Sequence, residues 1–298
     1  VRVVAIVGPT AAGKSALSLA LADALDGEVV NADSMQLYRG MDIGTAKLRP
    51  EERNGVPHHV LDIWDVTEPA SVAAYQRLAR AAIDDIASRG RVPLLVGGSG
   101  LYLRAVLDDF EFPGTDPSLR AELEAELAAV GPAPLHARLA RRDPEAASRI
   151  LPTNGRRIVR ALEVIELTGA PFTARLPEPI PYYDACQLGI DLDPAALDSR
   201  VSARVDAMWS AGLVDEVRGL EAAGLREGRT ASRALGYQQV LRYLAGECEE
   251  AQAHADTVQA TRRFVRRQRS WFRRDPRVRW LDAAGPDLVT DGISAAVS

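Results

Sequence analysis

Apolar residues recur along this chain at two spacings, and each spacing predicts a different element. The β-branched run at 3–7 reads as a buried strand bounded by Gly8 and Pro9. Residues 15–25 place Leu17, Leu21, Ala24 and Leu25 at the spacing of one helix face. Compact strand-like runs follow at 28–32 and 92–96, the second preceded by a helical stretch at about 72–88. Strands that alternate with helices imply a parallel sheet covered on both faces. Between them, residues 31–60 hold Gly40, Gly44, Pro50, Gly55 and Pro57, and read as one long irregular connection of the kind that carries function.

After Phe112-Pro113-Gly114 the pattern changes. Residues 117 to about 168 read as several amphipathic helices rich in Ala, Leu, Arg and Glu, with almost no β-branched runs. Pro177, Pro179 and Pro181 mark a linker, and strand character returns at 186–192, where the sheet is expected to close. Residues 195–274 are helical again, and Trp280-Leu281 is a last short extended piece. The expected fold class is α/β, with a parallel-sheet core from 1–113 and 186–298 and an inserted all-helical domain at 114–185.

Composition narrows the class. A chain of 298 residues with 47% hydrophobic and 26% charged residues has the balance of a globular protein, not of a disordered or collagen-like one. No run approaches the roughly 18 apolar residues of a membrane span, and the first strand passes into Gly8-Pro9-Thr10 instead of a signal-peptide cleavage site. The expectation is a cytoplasmic protein without a membrane partner. Cys186 and Cys248 stand far apart without C-x-x-C spacing, so neither a disulfide framework nor a cysteine zinc site is on offer, and any metal is expected on oxygen. Net charge is −5, yet residues 257–279 contain nine arginines and one acid, Asp275. That tract is +8, which leaves −13 on the remainder. Screening over about 8 Å makes such a local excess matter more to a polyanion than the total does.

Gly8-Pro9-Thr10-Ala11-Ala12-Gly13-Lys14-Ser15 matches the P-loop pattern GxxxxGK[ST], between a predicted strand and a predicted helix. Such a turn faces backbone N–H groups inward at a helix N-terminus. Lys14 then reaches phosphate oxygens, and the Ser15 hydroxyl can ligate magnesium. The core is therefore expected to be P-loop NTPase-like. A P-loop nucleoside triphosphatase also closes another strand with a metal-binding acid. Here the run 93–96 ends in Gly97-Gly98-Ser99-Gly100, and the carboxylate instead ends the second strand, as Asp33. That position suits phosphoryl or diphosphate chemistry on a bound acceptor whose proton Asp33 takes. A kinase for a small hydroxylated acceptor would use the same Lys14, Ser15 and Asp33.

Residues 33–47, Asp33-Ser34-Met35-Gln36-Leu37-Tyr38-Arg39-Gly40-Met41-Asp42-Ile43-Gly44-Thr45-Ala46-Lys47, resemble the signature of the tRNA dimethylallyltransferases (tRNA isopentenyltransferases). Residues 97–102, 156–163, 235–239 and 266–271 resemble further blocks of that family in family order, so the likeness spans nearly the whole chain. The resemblance implies transfer of a dimethylallyl group from dimethylallyl diphosphate to the exocyclic amine (N6) of the adenosine 3′-adjacent to the anticodon in tRNA, with magnesium and release of diphosphate. It further implies that Gly8, Thr10, Ala11, Ala12, Gly13, Lys14 and Ser15 hold the donor diphosphate with Arg200 and Arg204. Lys14 and Arg204 would then stabilise the leaving charge, Mg2+ would sit on Ser15, and Asp33 would act as general base.

By the same resemblance, tRNA contacts are expected from Asp33, Ser34, Met35, Gln36 and Ser99, and from Arg120, Arg156, Arg157 and Arg160 in the insertion. Ser99 stands where the family usually has threonine. A helix over 257–274 would place Val258, Val265 and Phe272 on its packing face and Arg262, Arg266, Arg269 and Arg273 toward phosphates. Leu37 is expected to help Gln36 shape the RNA contact, and His58-His59 to serve loop packing or substrate contact rather than a metal. The four tryptophans read as core residues, with Trp271 able to brace the arginine helix. The expected partners are the tRNA anticodon stem-loop, bound by a flipped adenosine, and dimethylallyl diphosphate; a monomer is expected.

Overall fold

A computed structural model describes residues 1–109, 112–172 and 178–298, so Pro177 of the predicted linker lies outside the described residues. The chain divides into two compact units, one of residues 1–109 with 181–298 and one of residues 110–180.

The first unit is built on β1 (Arg2–Val7), whose five residues after Arg2 are all at most 1% exposed. Val3, Ala5 and Val7 point into one apolar layer and Val4 and Ile6 into the other, as the two-residue period of a strand requires. A strand buried on both faces reads as a continuous apolar run, which is why it stood out in the sequence. The remaining elements before the insertion are α1 (Lys14–Leu25), β2 (Gly27–Asn31), β3 (His58–His59), α2 (Val72–Ser88), β4 (Val92–Gly97) and α3 (Gly100–Leu107). Ser71 caps α2 by accepting from the Ala74 N–H at 3.2 Å, and Tyr75, Ala79, Ile83 and Ile86 form its buried stripe against β1.

The second unit holds α4 (Pro117–Val130), α5 (Pro132–Arg142), α6 (Pro144–Arg149) and α7 (Gly155–Thr168). Asp116, Asp143 and Asn154 cap α4, α6 and α7 through their side-chain oxygens. Leu123, Leu135, Leu139, Ile158 and Leu162 form the core of this helical unit. The chain then resumes the first unit with β5 (Asp184–Asp191), α8 (Pro194–Ser210), α9 (Leu213–Ala222), α10 (Tyr237–Leu244), α11 (Glu250–Phe272), β6 (Val278–Asp282) and α12 (Leu288–Val297).

The six strands pair in the order β3-β2-β4-β1-β5-β6, every pair parallel, with Val4 opposite Leu94 on one side and Cys186 on the other. The α/β core expected from sequence is thus present. The segment 31–60 differs from the irregular connection expected, because it includes β3, which pairs with β2. The excursion begins and ends nearer the sheet than 114 and 185: Asp108 bridges Pro181, and the Tyr182 N–H donates to Leu107 O at 2.8 Å. A terminal helix, α12, was not anticipated; its Ala295 and Ala296 close the layer over Val4 and Ile6.

Candidate active site

The carboxyl ends of β1, β2 and β4 lie side by side in the sheet, and three loops leave from them, as ligand-binding loops do in open parallel sheets. After β1, Gly8 has φ +141°, and a Cβ there would fall 2.3 Å from Ile190 O on β5, so only glycine fits. Gly13, at φ +105°, turns the chain into α1. Lys14, the first residue of α1, folds back to donate from Nζ to Pro9 O at 2.8 Å, and Arg204 on α8 donates from Nη1 to Thr10 Oγ1 at 2.9 Å. Arg200, one turn earlier, has Nη1 3.5 Å from Ala11 O. The Ser15 hydroxyl makes no hydrogen bond among the described residues, and its backbone carbonyl accepts from Ser18.

Burial lowers the Lys14 ammonium to a pKa of about 8; the Asp33 charge pulls the other way, and Arg204 adds to the lowering. Arg204 is itself lowered, first by burial and then by Arg200, against the pull of Asp33. Lys14, Arg204, Arg200 and Asp33 therefore share one partly desolvated field with an excess of positive charge, an arrangement suited to a polyvalent anion.

After β2, the Asn31 side chain shapes the turn: its amide donates to Asp33 O at 3.0 Å and Val60 O at 3.1 Å, and its oxygen accepts from the Asp33 N–H at 2.9 Å. Asp33 Oδ1 accepts from the Met35 N–H at 2.9 Å, while Oδ2 has no hydrogen-bond partner among the described residues. After β4, Ser99 Oγ accepts from the Ser34 N–H at 3.1 Å and lies 3.2 Å from Ser34 Oγ. The hydroxyl that serine shares with threonine therefore joins the two loops. Tyr75 supports them from below by donating to Asn31 O at 2.8 Å.

Three residues in this framework were missed by sequence reasoning. Gln268 on α11 accepts from the Thr10 N–H at 2.9 Å and donates to Gly98 O at 2.9 Å, bridging the P-loop to the end of β4. A Cβ on Gly98 would lie 2.3 Å from its amide nitrogen, which accounts for that glycine. The signal was a polar residue on the apolar stripe that continues through Val265 and Phe272. Glu216 on α9 accepts from the N–H groups of Asp42, Ile43 and Gly44 and from Tyr237 Oη at 2.6 Å. Lys47, nearly buried, donates to Tyr38 O, Asp42 and Asp62. These last two hold the 33–47 loop in shape, and partners so distant in sequence gave no signal for Glu216.

The residues expected to meet RNA divide into two sets. Ser34, Met35 and Gln36 lie half-buried beside Asp33, and Gln36 Nε2 donates to Thr45 O at 3.1 Å. Leu37, by contrast, is fully buried in the core, so it cannot touch an RNA. In the helical unit, Arg120 and Arg160 both bind the fully buried Glu163, and Arg160 also donates to Pro113 O and Gly114 O. Burial raises the Glu163 carboxyl, but the two guanidinium groups outweigh it and leave the pKa lowered. These two arginines share the internal charge of Glu163, and Arg156 and Arg157 lie at the surface on the first turn of α7.

The arginines of α11 also have acidic partners. Arg262 and Arg266 lean on Asp198 and Ser202, Arg269 and Arg273 hold Asp191, and Arg277 binds Asp108 and Asp275. Counting charge along the segment missed acids supplied by other elements. The buried stripe runs through Ala253, Thr257, Ala260, Val265, Gln268 and Phe272, with Val258 only half-buried. None of the four tryptophans is buried; Trp271 is 38% and Trp280 37% exposed. His59 Nε2 lies 2.6 Å from Glu28 and His58 Nδ1 2.9 Å from Val56 O, and no group of three or more His, Cys, Asp or Glu among the described residues is placed to hold a metal. No helix among the described residues is long and apolar enough to cross a membrane.

Comparison with known proteins places these features in a context. Residues 36–275 match the family model described as IPP transferase. The chain is 76% identical over 293 residues to a protein named tRNA dimethylallyltransferase from Salinispora arenicola, covering 98% of this chain and 86% of that one. It is 69% identical over 286 residues to a protein of the same name from Streptomyces coelicolor, covering 96% and 92%. Among solved structures, the full-length tRNA isopentenylpyrophosphate transferase from Bacillus halodurans superposes with a TM-score of 0.73 at 41% identity, covering 99% of this chain and 94% of that one. A eukaryotic dimethylallyltransferase described as acting on tRNA gives 0.83 at 28% identity, covering 99% and 77%.

Proposed function

The chain belongs to the IPP transferase family, and from that premise we propose that its P-loop holds the diphosphate of a prenyl donor beside Asp33. It is a tRNA dimethylallyltransferase: it transfers the dimethylallyl group from dimethylallyl diphosphate to N6 of the adenosine 3′-adjacent to the anticodon, and diphosphate leaves. The observation that carries the assignment of the site is the shared field of Lys14, Arg204, Arg200 and Asp33 at the ends of β1 and β2.

In the reaction the N6 lone pair forms the new bond to the allylic carbon, and the carbon–oxygen bond breaks with its electron pair going to diphosphate. Lys14 and Arg204, with backbone N–H groups at the start of α1, stabilise the charge that develops on the leaving group. Gly8 and Gly13 let the loop take the curvature these donors need. N6 must lose a proton, and the Asp33 Oδ2 atom is the acceptor, while the Met35 N–H keeps Oδ1 in place.

The oxygen donors present fit a hard divalent cation such as Mg2+, which takes few protein ligands when it shares phosphate oxygens. Ser15 would hold it, and it would add charge neutralisation at the leaving diphosphate. Among the RNA contacts expected, Ser34, Met35, Gln36 and Ser99 would meet the acceptor nucleotide, and Arg156 and Arg157 the anticodon stem. A cytoplasmic location follows from such a substrate.

The test uses purified protein, magnesium, labelled dimethylallyl diphosphate and unmodified tRNA, beside a reaction with γ-labelled ATP and no prenyl donor. Label should enter tRNA, and Lys14→Ala should abolish the transfer. Consumption of ATP with no prenyl transfer would overturn the reading in favour of a kinase.

A further inference from the structure

The arginines of α11 form two stripes, not one. At about 100° per residue, Arg262, Arg266, Arg269 and Arg273 fall on one side, the side that meets Asp198 and Asp191. Arg263, Arg267 and Trp271 fall within about 80° of one another on a second side, and Arg274 in the following turn continues that line. All four are exposed. Among the described residues, the Arg263 and Arg274 side chains make no ion pair or hydrogen bond. Arg267 has only the ring of Phe264, its guanidinium carbon 5.6 Å from the centroid.

Trp271 ties this second stripe to the site. A Cβ on Gly100 would fall 2.0 Å from the indole Nε1, so the ring rests directly on the first residue of α3. The preceding residue, Ser99, is bonded to Ser34 beside Asp33. An exposed indole thus stands next to the loop that flanks the general base, with unpaired cations one turn before and one turn after it. Aromatic rings interleaved with cations along a track suit an unpaired nucleic-acid strand, because every base has a face to stack and every linkage a phosphate.

We propose that the Arg263, Arg267, Trp271 and Arg274 face of α11 carries the unpaired RNA next to the acceptor adenosine, with Trp271 stacked on a neighbouring base and the arginines on its phosphates. This rests on the tRNA reading above and adds to it the track by which the loop strand enters.

The test measures binding of full-length protein to a fluorescein-labelled anticodon stem-loop and to a blunt duplex of the same stem sequence, across a salt series. Trp271→Ala should weaken stem-loop binding about tenfold and leave duplex binding unchanged, since only an unpaired base can stack. Trp271→Phe should restore most of the affinity, which separates stacking from a folding defect. Changing Arg263, Arg267 and Arg274 together to Gln should reduce the slope of log affinity against log salt by about 2, near 0.7 for each single-strand phosphate no longer neutralised. Wild-type affinity and slope in these variants, or equal losses on stem-loop and duplex, would overturn the proposal while the transfer assay still stands. No binding of the stem-loop by the wild-type protein would overturn both.

Discussion

Lys14 is the residue whose chemistry is most open to measurement. Its pKa of about 8, against an ordinary 10.5, means that the free protein carries the proton below pH 8 and loses it above. An anion at the P-loop restores the proton, so donor binding above pH 8 is coupled to proton uptake. Affinity for dimethylallyl diphosphate should hold steady between pH 7 and 8 and then fall by up to about tenfold per pH unit. Calorimetry in two buffers of different ionisation heat reads both the constant and the proton uptake, and Lys14→Arg should flatten the dependence because arginine stays charged. The P-loop and Asp33 were legible as residues because a motif and a strand end announce them. The partners of Arg120 and Arg160 and the burial of Leu37 were not legible, because a residue's type does not disclose whether a buried carboxylate or a core engages it.

At the scale of elements, α11 connects the others. Gln268 holds the P-loop to the end of β4, satisfying one N–H and one C=O. Removing both bonds should cost about 1–2 kcal/mol in the positioning of Thr10. Gln268→Ala should therefore weaken donor binding roughly tenfold, and Gln268→Glu more, since a carboxylate cannot donate to Gly98 O and adds negative charge beside the diphosphate. Binding isotherms for the donor check this, with a thermal melt to confirm folding. The strands at β1, β2, β4 and β5 were found within a residue or two because doubly buried strands are uninterrupted apolar runs. β3 was not, since two histidines carry no such signal, and α12 escaped because its Asp291, Gly292 and Ser294 interrupt the apolar spacing. The register of α11 was close, but the partners of Arg262, Arg266 and Arg269 lie 60 or more residues away and belong to no local pattern.

For the molecule as a whole, charge pairing governs the acid limit of stability. Glu28, buried on β2, is lowered from 4.5 to about 2, chiefly by the hydrogen bond from Arg89, against burial, with His59 and Arg91 assisting. A depressed carboxyl contributes its stability in full above pH 4.5 and loses it as pH falls toward 2. Glu28→Gln should cost about 3 kcal/mol at pH 7 and much less at pH 2, read from urea midpoints at the two pH values. The same logic of distributed charge leads back to the site, where an excess of cations surrounds one carboxylate with a free oxygen. The most direct measurement of that arrangement is single-turnover prenyl transfer by Asp33→Asn with both substrates saturating. The account predicts a rate lower by about 10²–10⁴ with donor and tRNA affinities little changed, whereas a wild-type rate in the folded variant would contradict the role given to Asp33.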